Sequence, residues 1–252
     1  MSAEDDDAAA QSRLTLEMLL AEAPAIASGL PPGFADGAQR FVALLLAANR
    51  RHNLTRVTLP DEVARVHLLD SLAALPILDR LAPTDALDLG SGGGVPALPL
   101  ALARPEMGWT LVDSVAKKAA LLREFVEALG LRNVTVLSDR AEAVGRDPRH
   151  RERHAVVTAR ACAPLPVLAE LALPLLVTGG KLLAWKGPLA DEDEEVRRGR
   201  VAIHQLGGGD LEILDPGLPA LGGHRFVIVH KKGATPARFP RRAGGPGRRP
   251  LG

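Results

Sequence analysis

The chain contains a single cysteine, Cys162, among its 252 residues. One cysteine excludes a disulfide framework and a cysteine-rich zinc site, and it fits a reducing compartment. No stretch approaches the 18 uninterrupted apolar residues that a membrane helix needs. The first seven residues are acidic and lack the basic region that begins a signal peptide. We therefore expect a cytoplasmic protein with no membrane partner.

A strong charge bias is also missing, because 31 lysine and arginine residues balance 30 aspartate and glutamate residues. The charges are nevertheless unevenly placed. Four acids and no base occupy the first ten residues, whereas the segment from Lys231 to Gly252 has no acid and carries these basic residues: Lys231, Lys232, Arg238, Arg241, Arg242, Arg248 and Arg249. A terminal basic segment can contact phosphates, and a disordered, solvated tail is the alternative.

Strands and helices alternate from about residue 81 onward. Seven short apolar runs predict strands, at 86–89, 109–113, 134–138, 155–159, 181–185, 211–214 and 225–230. Segments with helical apolar spacing lie between them, at 95–103, 115–129, 165–176 and 191–204. This alternation predicts a mostly parallel sheet that is covered on both faces. No long helix separates the last two strands, which predicts an antiparallel final hairpin.

Three further segments with helical spacing precede the alternation, at 14–22, 34–49 and 61–74, the last ending before Pro76. We therefore divide the chain into a disordered acidic N-terminus at 1–12, a helical extension at 13–80, a sheet domain at 81–232 and a basic C-terminal tail at 233–252. A hydrophobic content of 46% is enough for one packed α/β domain with an extension.

The segment from Ala86 to Pro96 reads ALDLGSGGGVP. An apolar run with one acid ends in a glycine turn, and a helix-compatible segment follows, which together form a nucleotide-shaped pocket. The dinucleotide pattern G-x-G-x-x-G fails because Val95 occupies the place of the final glycine. What remains resembles the first motif of S-adenosylmethionine-dependent methyltransferases. A tight strand-to-helix turn without a ligand is the alternative.

A second acid, Asp113, ends the next predicted strand and lies 23 residues after Gly90. A carboxylate about 20 residues beyond a glycine loop can accept hydrogen bonds from both ribose hydroxyls. A cap of the following helix is the alternative role, since Asp is a favoured N-cap. The glycine loop and Asp113 together favour nucleoside binding.

Several stretches outside the loop stand in one order: Arg51–Thr55, His67–Ser71, Leu111–Ser114 with Lys117 and Lys118, Arg160–Ala161, Trp185–Gly187 and Thr235–Gly244. This set resembles the bacterial small-subunit ribosomal RNA methyltransferases of the glucose-inhibited division protein B family, over roughly residues 34–251. The resemblance implies a class I S-adenosylmethionine-dependent methyltransferase fold, which is a Rossmann-like α/β fold with a seven-stranded, mostly parallel sheet and an N-terminal helical extension. It also implies methylation of N7 of a guanosine in 16S ribosomal RNA.

The resemblance further implies that S-adenosyl-L-methionine is the cofactor and that these residues bind it: Gly90, Val95, Ala141, Glu142 and Arg160. The loop and ribose arguments add Gly92 and Asp113. Alternatively, Ala141 and Glu142 form the first turn of a helix, and Arg160 makes a surface salt bridge. The segment from Asp147 to His154 is longer and more basic than the family pattern.

Guanine N7 is an acceptor that carries no proton, so its lone pair can attack a sulfonium methyl group without a general base. Catalysis then depends on the placement of the two reactants. Arg160 and Lys186 are the best candidates for holding the guanosine and its phosphate. His67 shares a helix face with Ser71 and either lines the active-site mouth or is a buried structural histidine. Asn53 either orients the base or fixes its own loop.

We expect the partner to be 16S rRNA or the small ribosomal subunit, and we expect a monomer without a bound metal. The acidic run at 191–195 predicts a solvated first helical turn. Two other functions stay open: a methyltransferase for another RNA, a small molecule or a protein, and a non-catalytic RNA-binding module. The basic tail with Lys117 and Lys118 argues against a small-molecule substrate, and the intact glycine loop with Asp113 argues against a non-catalytic module.

Overall fold

The computed structural model of the protein describes residues 2–252. One sheet has the strand order β3-β2-β1-β4-β5-β7-β6, and its strands are β1 (Asp85–Leu89), β2 (Gly108–Asp113), β3 (Val134–Ser138), β4 (His154–Arg160), β5 (Leu176–Lys186), β6 (Gly208–Leu214) and β7 (Arg225–Lys231). Strands β1 to β5 are parallel, and β7 is antiparallel to both of its neighbours. The predicted parallel sheet and final antiparallel hairpin are confirmed.

Helices cover both faces of this sheet: α1 (Ala3–Ala21), α2 (Pro24–Ala27), α3 (Phe34–His52), α4 (Pro60–Glu62), α5 (Asp70–Leu72), α6 (Leu75–Leu81), α7 (Ala97–Ala103), α8 (Ala116–Leu129), α9 (Ala141–Val144), α10 (Leu165–Ala172), α11 (Glu194–Gln205) and α12 (Gly245–Arg248). Successive strand residues point to opposite faces. Val156 of β4 therefore joins the core under α3, α7 and α8, while Val157 joins the core under α10 and α11. Among residues 2–252, no helix has the length and apolar character needed to cross a membrane.

The prediction of disorder at residues 1–12 is wrong for the described residues, because α1 begins at Ala3; Met1 lies outside the described range. Ser2 and Asp5 form a reciprocal capping box, in which the Asp5 amide donates to Ser2 Oγ at 3.3 Å and the Ser2 amide donates to Asp5 Oδ2 at 3.1 Å. Acids in the first turn also offset the helix dipole. Ala9 and Leu16 of this helix are buried in the core. The acidic start of the chain is therefore the cap of an ordered helix.

The boundaries of several other helices differ from the predicted ones. The predicted helix at 61–74 consists of α4, a π-helical segment (Val63–Leu69) and α5. The predicted helix at 165–176 ends at Ala172 and passes through a 3-10 turn into β5. The helices predicted from 95 and from 191 begin at Ala97 and Glu194, so most of the acidic run at 191–195 precedes its helix.

The tail predicted at 233–252 is folded onto the sheet domain. Phe239 is buried, and the Arg241 guanidinium pairs with the fully buried carboxylate of Glu170. Lys231, counted among the basic residues of the tail, is also buried, and its Nζ donates to the Leu173 carbonyl at 2.8 Å. Burial lowers the pKa of Lys231 to about 8. The alternative of a disordered, solvated tail is therefore wrong.

The helical extension shares its core with the sheet domain. One continuous apolar cluster joins Leu16 of α1 and Phe41 of α3 to Leu111 of β2 and Phe125 of α8. The rings of Phe41 and Phe125 meet edge to face, with centroids 6.4 Å apart and an interplanar angle of 79°. Since no separate core exists in the described part of the extension, residues 13–80 and the sheet domain form one unit.

Replacement of Phe41 by Ala tests this shared core. Phe41 is fully buried, so we expect the Phe41→Ala variant to lose about 3–5 kcal/mol in the free energy of unfolding, measured by urea denaturation. The exposed Leu14 of α1 provides the control, and Leu14→Ala should cost less than about 0.5 kcal/mol. Separate unfolding transitions for the extension and the sheet, or a cost below about 1 kcal/mol for Phe41→Ala, would contradict a shared core.

Candidate active site

A crevice opens at the carboxyl ends of β1 and β4, where the strand order reverses. From β1 the chain proceeds to β2 on one side, and β4 lies on the other side. Ligands of open α/β sheets bind at such a switch point. Three adjoining cavities occupy the crevice, and we name them the tail, loop and arginine cavities.

The tail cavity, of about 430 Å³, lies between the loop and helix after β3 (Asp139–Glu142) and the chain end (Gly244–Pro250). The loop cavity, of about 270 Å³, lies between the glycine loop and residues 54–55. The arginine cavity, of about 230 Å³, lies where β4 and β5 end, beside Arg160 and Lys186.

The three cavities share lining residues. Gly90 lines the tail and loop cavities, Arg160 lines the loop and arginine cavities, and Cys162 lines the tail and arginine cavities. Ala161, which lies between Arg160 and Cys162 in the chain, has a left-handed backbone with φ of 49°. This conformation is costly for a residue with a Cβ atom. Strained backbone of this kind clusters at functional sites. The cavities therefore form one continuous crevice around the end of β4.

The glycine loop is fixed by a buried carboxylate. The Gly92 amide donates to Asp113 Oδ2 at 2.9 Å, and the Val115 amide donates to Asp113 Oδ1 at 2.8 Å. Gly90 has a φ of 71°, and a Cβ at this position would lie 3.1 Å from Cys162 Sγ. Each carboxylate oxygen of Asp113 can accept a further hydrogen bond. Asp113 therefore holds the loop in place and keeps the capacity to bind hydroxyl groups.

The arginine cavity is organised by Asp70, a carboxylate with 2% exposure. Asp70 Oδ2 lies 3.3 Å from Arg160 Nη1, and Asp70 Oδ1 lies 2.9 Å from His224 Nδ1. The indole Nε1 of Trp185 donates to the Asp70 carbonyl at 2.8 Å. Burial lowers the pKa of Arg160, while the charges of Asp70 and Asp88 act in the opposite direction. Asp70 thus compensates a buried cation and orients it.

Lys186 also lines the arginine cavity. Its Nζ is 2.6 Å from Glu195 Oε1 and donates to the Ala163 carbonyl at 3.1 Å. Glu195 also accepts the Leu165 amide at 2.8 Å. The acidic run therefore supplies one carboxylate that positions Lys186 rather than a wholly solvated turn.

His67 lies in the π-helical segment and lines the loop cavity. Its Nε2 is 2.9 Å from the Thr55 hydroxyl. Burial, followed by the charge of Arg160, lowers the pKa of His67 to about 4, so the imidazole is uncharged at neutral pH. Ser71 does not line the mouth with it, because Ser71 is fully buried and its hydroxyl donates to the His67 carbonyl at 2.6 Å.

Asp88 lies beneath the glycine loop, in β1. Its Oδ1 accepts the Thr158 hydroxyl at 2.6 Å. Burial raises its pKa to about 6, with hydrogen bonds from Ser91 and Thr158 acting against the rise. The sequence shows this acid in an apolar run but gives no role for it.

Three buried polar atoms around the crevice make no hydrogen bond within residues 2–252: His67 Nδ1, Asp88 Oδ2 and Arg160 Nη1, the last of which keeps only its ion pair with Asp70. Buried polar groups are nearly always hydrogen-bonded, so unpaired ones require an explanation such as a bound molecule or water. These three atoms belong to β1, β4 and the π-helical segment around the same crevice, which fits a crevice that binds a polar ligand.

Comparison with known proteins identifies the family. The family model described as rRNA small subunit methyltransferase G, named GidB, matches residues 35–212. The chain belongs to this family. A ribosomal RNA small subunit methyltransferase G from Roseiflexus sp. (strain RS-1) is 45% identical over 236 residues, which cover 94% of this chain and 100% of the relative. Its counterpart in Deinococcus deserti is 43% identical, covering 93% and 96%.

Solved structures support the fold of this family member. A Methanococcus maripaludis protein described as an S-adenosyl-L-methionine-dependent methyltransferase superposes with a TM-score of 0.52 at 16% identity, covering 69% of this chain and 90% of that one. The CMeT domain of the citrinin polyketide synthase superposes with a TM-score of 0.53 at 13% identity, covering 77% of this chain and 57% of that one. The predicted class I methyltransferase fold is confirmed.

The structure brings most of the predicted site residues of this GidB-family chain to the crevice. Gly90, Gly92, Val95, His67 and Arg160 line the loop cavity. Ala141 and Glu142 begin α9, as the alternative description has it, and also line the tail cavity, where binding of the cofactor by this pair stays a prediction.

Asn53 lies outside the three cavities. It is exposed and has a left-handed backbone with φ of 47°, which ends α3. Asn tolerates this conformation at helix C-termini. Its backbone ends the helix, and both of its predicted roles stay predictions.

Sequence reasoning missed three contributors to the site. His224 meets Asp70 across 154 residues of chain, and no local pattern could have indicated this contact. The sequence predicts a basic tail for residues 233–252, whereas Gly244–Pro250 lines the tail cavity. Asp88 could have been found, since an acid within an apolar parallel strand must be buried.

Removal of the Asp113 carboxylate tests the anchoring of the glycine loop. The sequence predicts S-adenosylmethionine as the ligand of this crevice, and S-adenosylhomocysteine is a stable probe for it. We expect Asp113→Ala to weaken binding of this probe by about 10- to 100-fold, equivalent to about 1–3 kcal/mol, in calorimetric titrations. Asp113→Asn keeps one acceptor and should lie between. The exposed Asp6 supplies the control Asp6→Ala, and an unchanged dissociation constant for Asp113→Ala would exclude this role.

Proposed function

We propose that this protein transfers a methyl group from S-adenosylmethionine to N7 of a guanosine in 16S ribosomal RNA. The observation that carries the proposal is the continuity of the three cavities, with a glycine loop at one end and two cations, Arg160 and Lys186, at the other. Such a crevice can bind a cofactor and a nucleobase next to each other at the same time. Family membership supports the same reaction class.

The tail and loop cavities suit the cofactor. We infer that Asp113, which accepts the Gly92 amide, also accepts the ribose hydroxyls. We infer as well that the first amides of α9, at Ala141 and Glu142, bind a purine edge. His67 Nδ1 is an unpaired polar atom beside the loop. When bound, S-adenosylmethionine supplies an electrophilic methyl group on a positively charged sulfur.

The arginine cavity suits the guanine base. Guanine presents acceptors at O6 and N7 on one edge. Arg160 Nη1 lies 3.3 Å from Asp70 Oδ2 in an ion pair but makes no hydrogen bond within residues 2–252. A hydrogen bond from the Arg160 guanidinium to O6 leaves the N7 lone pair free. The ion pair with Asp70 holds the guanidinium, so Arg160 is already oriented before the base enters.

Proton transfer places few demands on these residues. N7 carries no proton, so the reaction needs no general base. His67, with a pKa near 4, adds no positive charge at neutral pH beside a cationic cofactor. The buried indole of Trp185 and the side chain of Leu168 line the arginine cavity and exclude water from the reacting groups.

Cations also flank the crevice mouth. Burial, and then the charges of Lys117 and Arg51, lower the pKa of His52 at the end of α3. Lys117 and Arg51 are both exposed and can pair with RNA phosphates. Because ribosomal RNA is the proposed substrate, we also propose a cytoplasmic location.

Methylation of isolated ribosomal subunits tests the proposal. Small subunits from a bacterial strain that lacks the N7 modification would be incubated with the protein and methyl-labelled S-adenosylmethionine, and the modified base would be mapped. We expect label in one 16S rRNA guanosine, at N7. Arg160→Ala should reduce kcat/KM by about 10- to 100-fold, since a charged hydrogen bond contributes about 1.5–3 kcal/mol.

The exposed Arg197 of α11 provides a matched control, because Arg197→Ala removes the same charge at a residue that lines none of the three cavities. Label in a different atom or a different RNA would contradict the proposed substrate. Absence of label in any RNA, although the cofactor binds, would favour a small-molecule or protein substrate.

A further inference from the structure

The chain end after β7 is held by buried charge. The carboxylate of Glu170, with 0% exposure, accepts the backbone amide and the Nε of Arg241, each at 2.8 Å. The Arg241 guanidinium also pairs with the second oxygen of Glu170. A buried carboxylate must be paired to be tolerated, so this contact fixes the backbone at Arg241 and consumes its charge.

The basic segment after α9 also holds the chain end. Arg151 donates to the carbonyls of Phe239 at 2.7 Å and Thr235 at 2.8 Å, and Arg146 donates to the carbonyl of Pro240 at 2.8 Å. The ring of Phe239 is buried beside these contacts. Arg151 lies in the basic stretch from Asp147 to His154, and Arg146 directly precedes it. Both arginines therefore bind backbone carbonyls of the protein itself.

Beyond this anchor, the chain end closes the tail cavity. Gly244, Pro246, Gly247 and Pro250 line it together with the apolar side chains of Val167 and Leu171. The Gly244 amide donates to Glu142 Oε1 at 2.8 Å. Glu142 thus ties the chain end to α9, the helix at which the cofactor's purine edge is proposed to be read.

We propose that Gly244, Pro246, Gly247 and Pro250 form the outer wall of the adenosyl-binding slot and contribute directly to cofactor affinity. This inference rests on the proposed function. The glycine and proline residues present a low, apolar surface beside Val167 and Leu171, and an apolar lining of this kind suits the face of a purine ring. Because Arg241 and Phe239 hold the wall in advance, binding the cofactor incurs little ordering cost.

Truncation after Ala243 tests the wall while leaving Phe239 and the Arg241–Glu170 pair in place. We expect the truncated protein to bind S-adenosylhomocysteine 10- to 100-fold more weakly than the full chain in calorimetric titrations, with an unchanged far-ultraviolet circular dichroism spectrum. The double variant Arg248→Ala/Arg249→Ala removes two exposed charges but keeps the wall, and it should bind the probe as tightly as the full chain.

A milder variant serves if the truncated chain fails to fold. Pro246→Ala/Pro250→Ala keeps the chain length and removes both rings from the wall, and we expect a 3- to 10-fold loss of affinity. Equal affinity of this variant and the full chain, or of the folded truncated protein and the full chain, would overturn the inference. Failure of the full chain itself to bind S-adenosylhomocysteine would instead contradict the proposed function.

Discussion

The buried carboxylate of Asp70 is the contact on which the candidate active site depends. It follows directly after the π-helical segment, and it joins the helical extension to the ends of β4 and β7 through Arg160 and His224. Without this charge, Arg160 would be an uncompensated cation in the interior, and such a group strongly destabilises a fold. π-Helical turns occur frequently at functional sites. The extension is therefore part of the site rather than an addition to the sheet.

Two further buried carboxylates have the same function elsewhere in the crevice. Asp113 fixes the glycine loop, and Glu170 fixes the chain end through Arg241. Buried ion pairs contribute little net stability, because desolvation offsets their attraction, but a pair can specify one arrangement of the chain. Each of the three acids holds one wall of the crevice before a ligand arrives. A crevice organised in this way suits a reaction whose main requirement is the placement of two reactants.

The fold was predictable wherever the information was local. Apolar runs gave all seven strands, and the Gly90–Gly94 loop with Asp113 located the crevice, because glycine turns and strand ends are encoded over a few residues. The contacts of Asp70 with His224, and of Glu170 with Arg241, span 154 and 71 residues. Periodicity carries no information over such separations. The disorder expected at the two charged ends of the chain is wrong for a related reason. A run of acids or arginines is typical of a solvated segment, and the sequence does not show the buried partners of these residues.

We expect Asp70 to orient the groups that hold the base while the cofactor is bound elsewhere in the crevice. The decisive measurement is single-turnover methyl transfer to small ribosomal subunits by Asp70→Asn, made beside its affinity for S-adenosylhomocysteine. The transfer should be at least tenfold slower, because the variant loses the charge that pairs with Arg160, with an affinity within about threefold of the unmodified protein. An unchanged transfer rate in the folded variant, or a loss of affinity as large as the loss of rate, would contradict this expectation.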